Sequence, residues 1–225
     1  LETIRNSRDF QPKECHIDGI GRLFLITPSK RKQKWTKEDL PFRSLLCNDT
    51  GDIICSGLPK FFDLDEPEEN GVSVRSDFEQ MYSNQDATIF CPEKVDGSLL
   101  IRTVINGVVN IRTRGCHNLG WLEQTVQQLI QQKYPKLLDP NLDIGDMGLP
   151  FGQASLVMEF VDSSNPIIIQ YEQSCLKGIG VMKLNVESWP KFYGTPQLSA
   201  QMHLVFGLDK LFFAPPPSSL QQLIE

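Results

Sequence analysis

The run Leu99-Leu100-Ile101-Arg102-Thr103-Val104-Ile105-Asn106-Gly107-Val108-Val109-Asn110-Ile111-Arg112-Thr113 reads as a β-hairpin, with Asn106-Gly107 supplying the positive φ angles that a tight turn requires. Upstream, Ser44–Cys47, a turn at Asn48-Asp49-Thr50-Gly51 and Asp52–Ser56 form a second candidate hairpin, and Leu23–Ile26 is a short apolar strand candidate. Downstream, Trp121–Tyr134 is the clearest helix. Leu122, Val126, Leu129 and Ile130 fall on one face, glutamines fill the other, and Pro135 closes it. After a Gly/Pro-rich connection at Asp139–Gly152, Ala154–Val161 and Ile167–Tyr171 read as two more strands. Strand-dominated text with one clear helix and strong local turns predicts an α+β fold on antiparallel sheets, with residues 1–225 as a single domain.

Composition narrows the function. The 225 residues are 40% apolar and carry a net charge of −6, which argues against a uniformly basic surface that coats duplex DNA. Any nucleic-acid contact is expected to be local. The run Ser29-Lys30-Arg31-Lys32-Gln33-Lys34-Trp35 reads more readily as a solvated loop than as a phosphate contact, and Asp63–Asn70 as an acidic surface loop. Pro215-Pro216-Pro217 is expected to end the last ordered unit. Six cysteines stand without a C-x-x-C pair and no signal-peptide pattern is present, so they are expected to be reduced, mostly buried and cytoplasmic. Cys116-His117 lacks the second pair that a structural zinc site needs. No apolar run approaches the ~20 residues that span a bilayer, so no membrane is expected.

Glu93-Lys94-Val95-Asp96-Gly97-Ser98-Leu99, between the apolar Thr88–Cys91 and the hairpin, contains K-x-D-G. A lysine attacks phosphorus only as the free amine, so it needs a place where desolvation or nearby cations favour loss of its proton. The approach to a hairpin strand suits that. Gly97 allows the backbone to turn beside a nucleotide, and Asp96 offers a carboxylate for positioning or for a metal. K-x-D-G alone arises by chance in roughly one chain in twenty of this length, so its surroundings have to decide.

Lys94-Val95-Asp96-Gly97 resembles the first motif of the covalent nucleotidyltransferases, which include ATP-dependent DNA ligases, RNA ligases and mRNA-capping enzymes. Within them the chain is most similar to phage-type, tRNA-repair-like ATP-dependent RNA ligases. Those carry an arginine in a strand and a Lys-Phe-Phe ahead of the nucleophile, which Phe42-Arg43 and Pro59-Lys60-Phe61-Phe62-Asp63 match. They also carry a basic residue before glycine beyond the hairpin and a glutamate between apolar residues in a later strand. Arg112-Thr113-Arg114-Gly115 and Val157-Met158-Glu159-Phe160 match these, and Ile167–Tyr171 looks like the family's next strand beneath the nucleotide. Three cations and two carboxylates around one lysine suit a triphosphate with Mg²⁺.

The resemblance implies an antiparallel nucleotidyltransferase (ligase adenylation) fold joining 5′-phosphate and 3′-hydroxyl RNA ends through lysyl-AMP, with ATP and Mg²⁺. It makes Lys94 the nucleophile, gives Arg43 and Lys60 the phosphates and Arg114 and Glu159 the ribose hydroxyls, and brings Glu93 to the adenine amino group, with Asp96 and Gly97 beside the nucleotide. Two departures stand out. Asn165-Pro166-Ile167 replaces the family's Asn-Arg-Ile, and its later E-G-x-V and K-x-K strands have no counterpart. The domain is therefore expected to be incomplete at its C-terminus, with a second polypeptide as one possible source of those strands. A non-catalytic nucleic-acid-binding scaffold with a degenerate ligase core and an mRNA-capping guanylyltransferase are the alternatives.

Overall fold

The computed structural model describes residues 4, 7–63, 74–83, 88–142, 144, 154–185 and 188–215. Four strands, β1 (Phe10–Ile17), β2 (Gly21–Pro28), β3 (Leu45–Cys47) and β4 (Ile53–Ser56), lie side by side in chain order, each pair antiparallel. The expected β3–β4 hairpin forms. In its loop Asn48 Oδ1 accepts from the Asp52 amide at 2.8 Å, and Gly51 takes a φ of 97°. Two short strands, β5 (Cys91–Pro92) and β11 (Phe213–Ala214), pair with each other.

The larger sheet has five strands, β6 (Ser98–Ile105), β7 (Val108–Thr113), β8 (Ala154–Val161), β9 (Cys175–Asn185) and β10 (Ser188–Tyr193), in the order β10-β9-β8-β6-β7 and antiparallel throughout. Asn106 and Gly107 turn the β6–β7 hairpin with φ angles of 51° and 77°. Helices α1 (Val74–Ser83), α2 (Glu123–Lys133) and α3 (Pro196–Phe206) complete the α+β architecture.

Alternation along the strands gives the larger sheet two working faces. Leu100, Leu156, Met158, Phe160, Leu176 and Val181 meet Val126 and Ile130 of α2 and Leu198, Met202 and Phe206 of α3 in the main core. Each such side chain contributes about 1.5–3 kcal/mol by leaving water. Ile105 joins Cys15, Ile17, Leu23, Leu25, Leu46 and Cys55 of the four-stranded sheet in a second core, and β4 packs against β8 and β9.

The structure corrects the expected strand at Ile167–Tyr171. That stretch is an irregular loop with Ile167 and Ile168 exposed, and the strand that pairs with β8 is β9, beginning at Cys175. The basic run is also not simply solvated. Lys32 buries its side chain against the rings of Phe10 and Trp35 and pairs with Asp39 at 2.7 Å. Of the acidic stretch only Asp63, and of the triple proline only Pro215, lie within the described residues. Cys15, Cys47, Cys55 and Cys175 are buried and Cys116 is exposed, all as free thiols. No helix among the described residues is long and apolar enough to cross a membrane.

Candidate functional site

Lys94 lies in the link Glu93–Gly97 between β5 and β6. Both ends of that link are fastened. On the β5 side, the Glu93 amide donates to the Phe212 carbonyl at 2.8 Å, the Phe212 amide donates to Glu93 Oε1 at 3.0 Å, and Lys177 Nζ donates to the same oxygen at 2.5 Å. On the β6 side, Gly97 lies so close to β8 that a Cβ there would stand 2.3 Å from the Phe160 carbonyl and 3.0 Å from Glu159 Cγ. Only glycine permits that approach.

Lys94 is exposed on a cavity of about 660 Å³, a volume typical of small-ligand sites. Arg43, Glu93, Gly97, Arg114 and Glu159 line the same cavity, so six of the eight residues singled out in the sequence converge. Lys60 and Asp96 are not among its walls. Lys60 Nζ donates to the Phe61 carbonyl at 2.8 Å and lies 4.1 Å from the centre of the Phe62 ring. Asp96 Oδ2 accepts from the amides of Ile168 and Ile169 at 2.6 and 2.8 Å, and its own amide donates to the Tyr171 hydroxyl at 3.0 Å. Asp96 thus fastens the 167–171 loop to the lysine turn.

The electrostatics are unbalanced in a way that invites an anion. Lys94 and the Arg114 guanidinium have no hydrogen-bond or ion-pair partner among the described residues. Arg43 Nη1 reaches the Pro59 carbonyl at 3.4 Å and its guanidinium lies 4.9 Å from the Phe61 ring centre. Burial lowers the pKa of Arg43, and the charge of Arg114 pushes it the same way. Glu159 is pushed up to about 7, chiefly by burial, with Asp96 acting in the same direction and with Lys94 and the hydrogen bond from the Gly97 amide opposing it. Glu93 is already engaged by Lys177 and Phe212.

Comparison with models of known protein families finds no match, and comparison with curated proteins finds none either. Several walls of the cavity were not anticipated from sequence. Ile179 comes from β9, Phe192 from β10, and Leu211 and Phe213 from the segment around β11, while Trp121 sits at the rim with 78% of its surface exposed. Among the described residues no group of three or more His, Cys, Asp or Glu side chains is arranged to hold a metal ion.

Proposed function

We propose that the chain is the nucleotide-binding core of an ATP-dependent RNA ligase, built on the antiparallel nucleotidyltransferase fold, with Lys94 as its nucleophile. The observation that carries this reading is the convergence of Lys94, Arg43, Arg114 and Glu159 on one cavity of nucleotide size, with the cations in excess. In the first step the Lys94 amine, having lost its proton, bonds to the α-phosphorus of ATP as the bond to the β-phosphate oxygen breaks, and pyrophosphate leaves. The AMP then passes to an RNA 5′-phosphate, and the 3′-hydroxyl of the other end displaces it. The choice of RNA ends and of ATP rests on the resemblance of the motifs.

The side chains have distinct tasks. Arg43 offsets phosphate charge in a partly desolvated cavity, where charge-assisted hydrogen bonds are strongest, and Arg114, which the resemblance sets at the ribose, is close enough to act on Arg43 and is assigned to the phosphates with it. Glu159, divided between its two protonation states near neutral pH, is able to accept from or donate to a ribose hydroxyl. The protein supplies little for Mg²⁺ itself, because Asp96 holds a loop and Glu93 holds Lys177. The ion suits these residues only as a companion of the triphosphate, with water and phosphate oxygens as its main ligands. Its chemistry would be to neutralise phosphate charge.

Incubating the chain with α-labelled ATP and Mg²⁺, then separating it under denaturing conditions, tests the reading. A covalent AMP adduct formed from ATP, which survives denaturation and alkali and disappears in Lys94→Arg, is expected, because an arginine keeps the charge but cannot supply the amine. Label that survives Lys94→Arg, or absence of label even when a polypeptide carrying the E-G-x-V and K-x-K strands is supplied, would overturn it. Label from GTP and not ATP would assign a guanylyltransferase instead.

A further inference from the structure

Arg112 is an unusual resident of the interface between the two sheets. It is fully buried, it has no carboxylate partner among the described residues, and its Nε finds no acceptor. Its Nη1 donates to Ser44 Oγ at 2.7 Å and to the Thr113 carbonyl at 3.2 Å, while Nη2 reaches the Ser44 carbonyl at 3.1 Å and Cys55 Sγ at 3.6 Å. A buried cation without a counter-ion is a costly way to join two sheets, and an apolar side chain would serve stability better. What the arginine adds is direction. A guanidinium only donates, so it occupies an acceptor position on the Ser44 hydroxyl and leaves that group's single proton for another partner. That partner is the Arg114 carbonyl, at 2.8 Å.

Ser44 immediately follows Arg43, so this chain of bonds ties the backbone of one cavity arginine to the backbone of the other. The Ser44 carbonyl is held further by the Gly57 amide at 2.8 Å. A Cβ on Gly57 would fall 2.5 Å from Ile101 Cδ1 and 3.0 Å from Ser44 Cβ, so the chain closes tightly over Ser44. We infer that the buried Arg112–Ser44 bonds are a positioning device, holding Arg43 and Arg114 together without a carboxylate as a preformed seat for the pyrophosphate end of a nucleoside triphosphate. This inference rests on the proposed nucleotidyl-transfer reading for its ligand, but the seat itself requires no covalent chemistry. The Arg43 pKa is lowered chiefly by burial and further by the charge of Arg114, and the second cause agrees with two cations held close in the unliganded protein.

Inorganic pyrophosphate is the probe, and calorimetric titration of the whole chain is the measurement. Ser44→Ala removes the link without changing charge, and its pyrophosphate affinity should fall about fivefold, the worth of one hydrogen bond. Arg114→Ala should lose at least as much. In the Arg114→Ala background, Ser44→Ala should cost nothing further, because the group it positions is gone. A purely structural serine would instead cost the same in both backgrounds. Thermal melts report whether each variant is folded. Should Ser44→Ala fail to fold, Ser44→Cys keeps the shape of the side chain at a slightly larger volume while weakening the donor, and the same coupling is then read from it. Wild-type protein that does not bind pyrophosphate, unchanged affinity in the Ser44 variant, or additive losses would each overturn the inference. A chain that shows the coupling but takes no label from ATP even with the E-G-x-V and K-x-K strands supplied keeps the seat and loses the ligase reading. A chain labelled at Lys94 with additive losses loses only the seat.

Discussion

Lys177 Nζ on β9 stands 2.5 Å from Oε1 of Glu93, the residue immediately before Lys94. The same oxygen accepts the Phe212 amide, so one carboxylate joins β9, the β11 segment and the lysine turn. Both partners are largely shielded, and removing either leaves a charge without its counterpart. Lys177→Met and Glu93→Gln are each expected to lower stability by about 1–3 kcal/mol, with the double variant losing clearly less than the sum. Urea unfolding of the four proteins checks this, and strict additivity would show that the pair does not fasten the turn.

Glu159 provides a pH signature. Its folded pKa, about 7, lies above its ordinary value of 4.5, so the folded state holds a proton that the unfolded chain releases between these values. Stability therefore falls as pH rises from about 4.5 through 7, and the penalty is complete above it. The upper bound is roughly 3 kcal/mol at 1.36 kcal/mol per unit. Glu159→Gln removes the charge but preserves an acceptor for the Gly97 amide. It should raise stability relative to wild type at pH 8 and have little effect at pH 4.5. Equal changes at the two pH values, measured by urea unfolding, would contradict a desolvated carboxyl.

The elements that were legible in the sequence are those whose signals are local. Asn106-Gly107 fixed a hairpin because few other residues adopt those φ angles, and Val126 and Ile130 marked a helix face that the core uses. Ile167–Ile169 misled because an apolar β-branched run looks like strand interior. Two of its amides instead bond the Asp96 carboxylate, an interaction between residues more than seventy positions apart. The strand β9 was hidden by Gly178 and Gly180, which usually weaken a strand. Here a Cβ on Gly178 would meet the Met202 side chain at 3.0 Å, and one on Gly180 the Tyr193 carbonyl at 2.3 Å, contacts that exist only once β10 and α3 have docked. Helix α3 did carry local signs. Thr195 Oγ1 accepts from the Leu198 amide at its start, Pro196 follows, and Gly207 ends it with a φ of 79°. Lys94, Arg43, Arg114 and Glu159 were visible as motif residues, whereas Ile179, Phe192, Leu211 and Phe213 reach the cavity through pairings no short window contains.

Asp96 links the lysine turn to an exposed loop, and that link is measurable without any ligand. Asp96→Ala removes the acceptor for the Ile168 and Ile169 amides. Because the loop is exposed, the loss should be modest, on the order of 1 kcal/mol, and confined to this region. Hydrogen exchange at those two amides should accelerate about fivefold, while amides in the centre of β8 stay unchanged. Uniform acceleration across the chain would instead mean that Asp96 supports global stability.

Arg43 and Lys60 separate two kinds of basic residue that the sequence placed together. Arg43 lines the cavity with its guanidinium close enough to Arg114 for mutual repulsion, whereas Lys60 is not among the cavity walls and is occupied by the Phe61 carbonyl and the Phe62 ring. A phosphate entering the cavity relieves the repulsion at Arg43 and gains a charge-assisted contact, worth roughly 1.5–3 kcal/mol. Arg43→Ala is therefore expected to weaken ATP binding by about tenfold or more, from the same energies. Lys60→Ala should stay within about twofold of wild type, since an exposed charge outside the cavity acts only through screened long-range attraction. Titration of both variants at 50 and 300 mM salt distinguishes the two effects, because the Arg43 loss should persist at high salt and any Lys60 loss should vanish. Equal, salt-resistant losses in both variants would mean that Lys60 turns into the cavity when nucleotide binds, and that the seat has three cations rather than two.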